Sequence, residues 1–334
     1  MMANAITGLS IFQWAAESTK GTDLAATSKV LCETFDFTPE DAVYRPGFIN
    51  GVLLQNTGNE QVITRGTRWQ STGPWSYEQA IHWLEMTIAG AISPTGTNPY
   101  TWTYTRNATS IPTLDSFTFE RRLNDGSNQI DTAWHYAMCD ELTIKGAPRG
   151  VLMFDAKGFA RRVQSEAITG ALSLPTAELM THGTTALYID STWANRGTTV
   201  VSAQLLDWSV TIRPGNAPFF TADGRSDIDF PTHVLNSRDV GLTFECTMLV
   251  PGSSSQYATE KTAAEAMTLR ALELRATSGA KSWKLQFLAK HELGSVFKID
   301  EQDGQAVVKM KLVGSTDATN YMASVLVNAT ATDA

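Results

Sequence analysis

Hydrophobic positions along this chain recur mostly with a period of two, in short runs broken by Gly, Asn, Asp and Pro. That is the pattern of half-buried strands joined by turns. It predicts strands over residues 29–37, 51–55, 61–69, 100–105, 116–122, 140–145 and 151–163. A second series follows at 187–190, 203–212, 240–250, 282–288, 296–299, 306–313 and 324–328. Asn56-Thr57-Gly58-Asn59 between two such runs predicts a hairpin, because those residues tolerate positive φ. Asn124-Asp125-Gly126 and Asp303-Gly304 predict further turns.

The period changes to helical in two places. Ser76-Tyr77-Glu78-Gln79 fits a capping box, and Tyr77, Ile81, Leu84 and Ile88 follow on one face before Gly90. Residues 255–277 are rich in Ala, Glu, Lys, Arg and Leu. Ala263, Met267, Ala271 and Leu274 give them an apolar stripe, and Gly279 is placed to end the helix. A Ser/Thr/Gly/Ala-rich stretch at 165–185 reads as a linker, and residues 213–230, with Pro214, Gly215, Pro218 and Gly224, as a long loop. The expected division is 1–170 and 171–334, each half holding strands around one helix. A strand pair at 140–145 and 151–163 was matched with one at 207–212 and 240–250.

Composition sharpens this picture. At 334 residues the chain is long enough for two ordinary cores, and 43% hydrophobic with 18% charged residues is a globular balance. Each half carries 13 Lys and Arg against 17 Asp and Glu, four negative charges apiece. A net charge of −8 argues against DNA binding by phosphate neutralisation, though not against a surface that DNA slides past. Cys32, Cys139 and Cys246 lie far apart and read as reduced, buried residues. The first residues lack the basic start of a signal peptide, and no apolar run approaches a membrane span, so cytoplasmic synthesis and assembly are expected.

Catalytic chemistry finds little support. The chain lacks a G-x-S-x-G elbow, a P-loop, a dinucleotide fingerprint and an H-E-x-x-H pair. His135 and Cys139 stand four apart with no second ligand pair nearby in sequence. Asp223, Asp227 and Asp229 miss the spacing of a calcium loop. Of the nine Trp, Trp102, Trp208 and Trp283 alternate within strands as core residues, whereas Trp69 and Trp75 are expected at an interface. No catalytic residue, cofactor site or metal site is expected.

Several stretches together resemble tail tube proteins of long-tailed, non-contractile bacteriophages. They are Ala16-Glu17-Ser18-Thr19-Lys20-Gly21-Thr22 with the Thr38-Pro39-Glu40 turn, residues 96–106 with Pro-Tyr-Thr-Trp-Thr-Tyr, residues 139–162, and the Asp303-Gly304 hairpin. The resemblance implies a mainly β fold with minor α: two tandem β-sandwich or barrel domains, each with a flanking helix and a long β-hairpin. It implies a virion protein that assembles into stacked rings, trimeric for the tandem type, around a channel for double-stranded DNA, which passes without specific binding. Further partners would be tape measure, tail terminator and tail tip proteins. Polar alternation suits residues 51–69 to a lumen or inter-ring hairpin, with Gln55, Asn59, Glu60, Gln61, Arg65, Arg68 and Trp69 as its candidate residues. Arg213, Phe219, Phe220, Asp223, Arg225 and Asp227 are candidates in an inter-ring loop. The competing expectation is a carbohydrate-binding or adhesive β-sandwich of the same particle.

Overall fold

The computed structural model describes residues 10–44, 60–124, 129–201, 204–222, 228–250, 255–292 and 299–328. The fold is mainly β with minor α. The first half contains β1 (Ile11–Ala16), β2 (Ser28–Lys29), β3 (Thr34–Pro39), β4 (Ala42–Tyr44), β5 (Gln61–Thr64), β6 (Thr67–Pro74), α1 (Ala80–Thr87), β7 (Tyr100–Asn107), β8 (Phe117–Asn124), β9 (Gln129–Gly146) and β10 (Met153–Ala160). The second contains β11 (Thr185–Asp190), β12 (Leu205–Arg213), β13 (Asn216–Phe219), β14 (Thr232–Leu235), β15 (Gly241–Leu249), α2 (Ser255–Glu265), β16 (Arg270–Ser278), β17 (Lys281–His291), β18 (Ile299–Gln302), β19 (Gln305–Gly314) and β20 (Asn320–Asn328).

The element order repeats. In the first half, β3 is followed by the separate hairpin β4–β5, then β6, α1, β7, β8, β9 and β10. In the second, β12 is followed by the separate hairpin β13–β14, then β15, α2, β16, β17, β18 and β19. Pairing repeats as well: the strands lie side by side as β3-β6-β10-β9 and as β12-β15-β19-β18. The match read from sequence, 140–163 with 207–250, was out of phase. It compared the third and fourth strands of one unit with the first and second of the other. The two units join through β9 and β12, paired antiparallel from Trp208↔Gly146 to Ile212↔Leu142. Eight strands thus form one continuous sheet across both halves.

Strand β9 makes the fold possible by serving two layers. Its first part pairs with β8 and its last part with β10 and β12. Between them Tyr136 takes a φ of +56°, unusual for a residue with a side chain. The buried carboxylate of Glu17 holds that kink. It accepts from Tyr136 N–H at 2.7 Å, Gly21 N–H at 2.6 Å, Ser116 Oγ at 2.5 Å and Thr118 Oγ1 at 3.2 Å. Strand β17 plays a comparable part, pairing with β20 along Ser282–Phe287 and with β19 along Ala289–His291.

α1 is buried along its whole length and packs on β9, β7 and β20. The helix starts at Ala80 with Gln79 as its N-cap, not Ser76; the Ser76 hydroxyl accepts from Gln79 N–H at 3.2 Å in the turn before it. The other half of the capping box is absent, because the Gln79 side chain bridges Leu31 N–H and Lys29 C=O instead, each at 2.8 Å. Around the helix runs an aromatic core, including Trp14 against Trp83 at 4.8 Å, Trp83 against Phe154 at 4.8 Å and Trp75 against Trp283 at 5.9 Å between ring centroids. That last pair crosses from one half to the other. So does the pairing of β7 with β20. Residue 170 falls in an irregular connection, yet core and sheet run continuously past it.

The long helix expected at 255–277 is a helix followed by a strand. α2 ends at Glu265, Met267 turns to a φ of +51°, and β16 begins at Arg270. Leu272, Leu274 and Ala276 alternate with Glu273, Arg275 and Thr277, and burial of that alternate face against β11 and β17 overrides the helix propensity of Leu, Glu and Arg. Gly279 therefore sits in the β16–β17 turn at φ +56° rather than at a helix end.

Candidate functional site

One face of the eight-strand sheet packs on the core and the other is polar. Strict alternation produces this: Trp69, Phe154, Leu142, Ile144, Trp208, Val210, Phe244 and Leu312 point inward. The residues between them share the opposite face and meet in cross-strand rows. Thr34 faces Thr72, Asp155 lies between Thr72 and Thr143, and Thr143, Thr211 and Thr243 continue the row. Hydroxyls join at 2.6 Å for Thr34–Thr72 and 2.9 Å for Thr143–Thr211.

A neighbouring row runs from Asp36 through Gln70 and Lys157 to Glu141, which Arg213 reaches. A third runs from Lys145 through Ser209 and Glu245 to Lys311. The carboxylates Asp36, Asp140, Glu141, Asp155, Asp207 and Glu245 are interspersed with the cations Arg68, Lys145, Lys157, Arg213, Lys309 and Lys311, and Glu40 and Asp300 add negative charge toward the two ends, so this face carries both signs. Pairing is local: Arg68 with Asp140 at 2.5 Å and Glu40 at 3.0 Å, and Glu141 with Arg213 at 2.8 Å and Lys157 at 3.3 Å. Burial raises the pKa of Asp140, against the pull of Arg68. At Glu141 burial acts the same way but is outweighed by hydrogen bonds from Arg213 and Lys157, and the carboxyl titrates below its usual range. Two shallow grooves of about 690 and 670 Å³ lie on this face, lined at Lys145, Asp207 and Lys309 and at Asp140, Arg213 and Arg238 respectively.

The sheet has two unlike edges. At one end β3 pairs only with β6; at the other, β18 pairs only with β19 among the described strands. All four residues of β18 are exposed. The two-residue turn Asp303-Gly304, both at positive φ, is closed by the pair Gln302↔Gln305. A pair closing such a turn exchanges its backbone bonds, so the next residue, Glu301, turns its N–H and C=O to the open edge. The Asp300 side chain covers that N–H, accepting from it at 2.9 Å.

The sequence-predicted residues divide as follows. Gln55, Asn59, Asp223, Arg225 and Asp227 lie outside the described residues, as does the Asn56–Asn59 turn. β4 and β5 pair with Tyr44 opposite Gln61, so Gln61–Thr64 meet Ala42–Tyr44; residues 51–55 lie outside the described residues. Glu60 and Gln61 are exposed. Arg65 bridges to Asp229 through its backbone, its N–H donating to Ile228 C=O at 3.1 Å. The bases of the two inserted hairpins therefore touch. Arg213 and Arg68 are on the polar face, and Phe219 and Phe220 are exposed at 46% and 44%.

Trp69 is corrected: it is 2% exposed, its ring packs on Phe119 and Trp83, and its Nε1–H donates to Phe159 C=O at 3.2 Å. Trp75 is buried too, at 1%. Trp69 needs a glycine beside it, since a Cβ on Gly158 would lie 2.6 Å from its ring. Sequence reasoning missed β18 as an edge and the mixed charge of the polar face. The alternation around residues 207–211 and 243–247 held the signal for that face.

Neither the models of known protein families nor the curated proteins compared with this chain give a match.

Proposed function

We propose that this chain is a tail tube protein of a long-tailed, non-contractile bacteriophage, of the type with two tandem tube domains. It would join into rings that stack in the virion as a conduit for double-stranded DNA. The observation that carries this reading is the repeated four-strand order with unlike open edges. Inside the chain, the third strand of unit one (β9) pairs with the first strand of unit two (β12). Between chains, the third strand of unit two (β18) is open, and so is the first strand of unit one (β3). The same joint can form again, head to tail, and such heterologous contacts close into rings when the rotation allows. Three chains would supply six units and twenty-four strands, eight from each chain.

The polar face then becomes the wall of the channel. Among its described residues cations are interspersed with carboxylates, as Lys145, Lys309 and Lys311 are with Asp207 and Glu245, and Thr hydroxyls are bonded to one another, which suits passage of a phosphate backbone without arrest. The inserted hairpins β4–β5 and β13–β14 occupy equivalent places in the two units and suit contacts between stacked rings. Assembly with itself, with tail terminator, tape measure and tip proteins, and not catalysis, is the proposed activity. The sugar-binding alternative would want exposed Trp to stack on sugar rings, and it finds less support. Eight of the nine Trp are buried, and the remaining one, Trp193, is covered by Arg196 at 4.4 Å from its ring.

Negative-stain electron microscopy of the purified chain, fresh and after concentration, tests the proposal. Rings or tubes with a central hole are expected. A chain that sediments as a monomer up to its solubility limit and forms neither structure overturns it.

A further inference from the structure

Three residues distant in sequence converge beside the β9 kink: Asp23 from the β1–β2 connection, His135 from β9, and Glu166 from the segment after β10. Their ligand atoms all lie within 4.8 Å of one another. His135 is only 7% exposed, and its Nδ1 is buried without a hydrogen-bond partner, 3.4 Å from Asp23 Oδ1. A buried polar nitrogen left in this way costs free energy unless something completes it. Asp23 and Glu166 are both exposed, so the cluster opens to water on their side.

From these observations we infer a divalent transition-metal site, Zn²⁺ foremost, held by His135 Nδ1 and the carboxylates of Asp23 and Glu166. One imidazole with two carboxylates is a donor set for Zn²⁺ rather than for Mg²⁺ or Ca²⁺, which take oxygen alone. Ligands about 2.1 Å from a tetrahedral ion are about 3.4 Å apart, which is the separation already present between His135 and Asp23. Water would fill the fourth position.

The backbone holds this arrangement independently of an ion. Glu17 ties the β1–β2 connection to the kink through Gly21 and Tyr136. Ala133 and Gln164 exchange backbone bonds at 3.0 and 2.8 Å, and Arg161 N–H donates to His135 C=O at 3.0 Å, which sets the segment bearing Glu166 alongside β9. Filled, the site clips the N-terminal region, the kinked strand and the start of the connection to the second half. It is remote in role from the sheet edges and does not depend on the tube reading.

Isothermal titration of the EDTA-treated, tag-free full chain with ZnCl₂, alongside thermal melts, tests the assignment. One equivalent should bind and raise the melting temperature. Asp23→Asn and Glu166→Gln, both at exposed positions, should each weaken binding more than about tenfold while leaving the metal-free melt unchanged. Absence of a stoichiometric site overturns the inference. So does equal binding by MgCl₂, or binding that survives in the double variant. A cluster that is only an ion pair between His135 and Asp23 would show no uptake of ZnCl₂.

Discussion

Replacing Glu301 with proline removes one donor from the open β18 edge and leaves the β18–β19 hairpin bonds untouched. Among the described residues Glu301 N–H meets only the Asp300 carboxylate, so the monomer loses a surface bond and should keep its stability within about 0.5 kcal/mol. The joint between chains is affected differently. The internal β9–β12 joint has five registered residue pairs and serves as its template. Losing one backbone bond there strands a partner carbonyl and brings the proline ring against the incoming strand, a cost of about 1–3 kcal/mol. That weakens each joint by about 5- to 150-fold.

Sedimentation velocity over a concentration series, with microscopy of the same samples, should show the threshold for rings raised at least about tenfold. Glu301→Ala, which keeps the N–H, should assemble like the parent. Rings from Glu301→Pro at the parent's threshold would refute the edge-to-edge reasoning, whatever other interface then accounted for assembly.

Two further predictions concern the fold itself. Arg270→Met strips the cation from Glu260, which is buried against Arg270 and His291 beneath α2; urea unfolding should show a loss of about 3–5 kcal/mol, largely recovered by adding Glu260→Gln. His233, whose Nδ1 lies 3.0 Å from Tyr136 Oη, has its pKa pushed down to about 4, first by burial and then by Lys20. The neutral ring is the form the fold favours, so stability is full above about pH 6.5 and falls as pH drops toward 4. Because the ring is half-exposed, roughly 1–2 kcal/mol is at stake after solvent screening. Melts of His233→Gln should be flatter across that window, and a parallel pH dependence would count against the assignment.

Strands with one wet and one dry face were legible from their alternation, and β8 was found although its first four residues are all buried. β7, β8, β10, β12, β15 and β19 fall within a few residues of the runs read from sequence. The Asp303-Gly304 turn was equally direct, since both residues do take positive φ. β16 was misread because Leu, Glu and Arg suit either period, and its neighbours β11 and β17 decided the matter. Trp69 was placed at a surface because nothing local reveals that Gly158, across the sheet, opens the slot its ring fills.

The polar face was hidden for another reason: its mixture of charges is assembled from strands more than a hundred residues apart, such as Lys145 and Glu245 in one cross-strand row. The Asp23–His135–Glu166 cluster was missed likewise. His135 was compared with Cys139, four residues away, while its actual neighbours arrive from two other segments.

The joint inside each chain imposes arithmetic on any ring that repeats it between chains. Four-strand units enter only in covalent pairs, so every closed ring contains an even number of them. A subunit with one such unit can close with one too many or one too few after a small error in curvature. Here the nearest wrong ring differs by two units, and the bend at each joint must be off by far more to reach it. Half of the joints are also set before any encounter in solution, which lowers the count of bimolecular steps between free chain and closed circle.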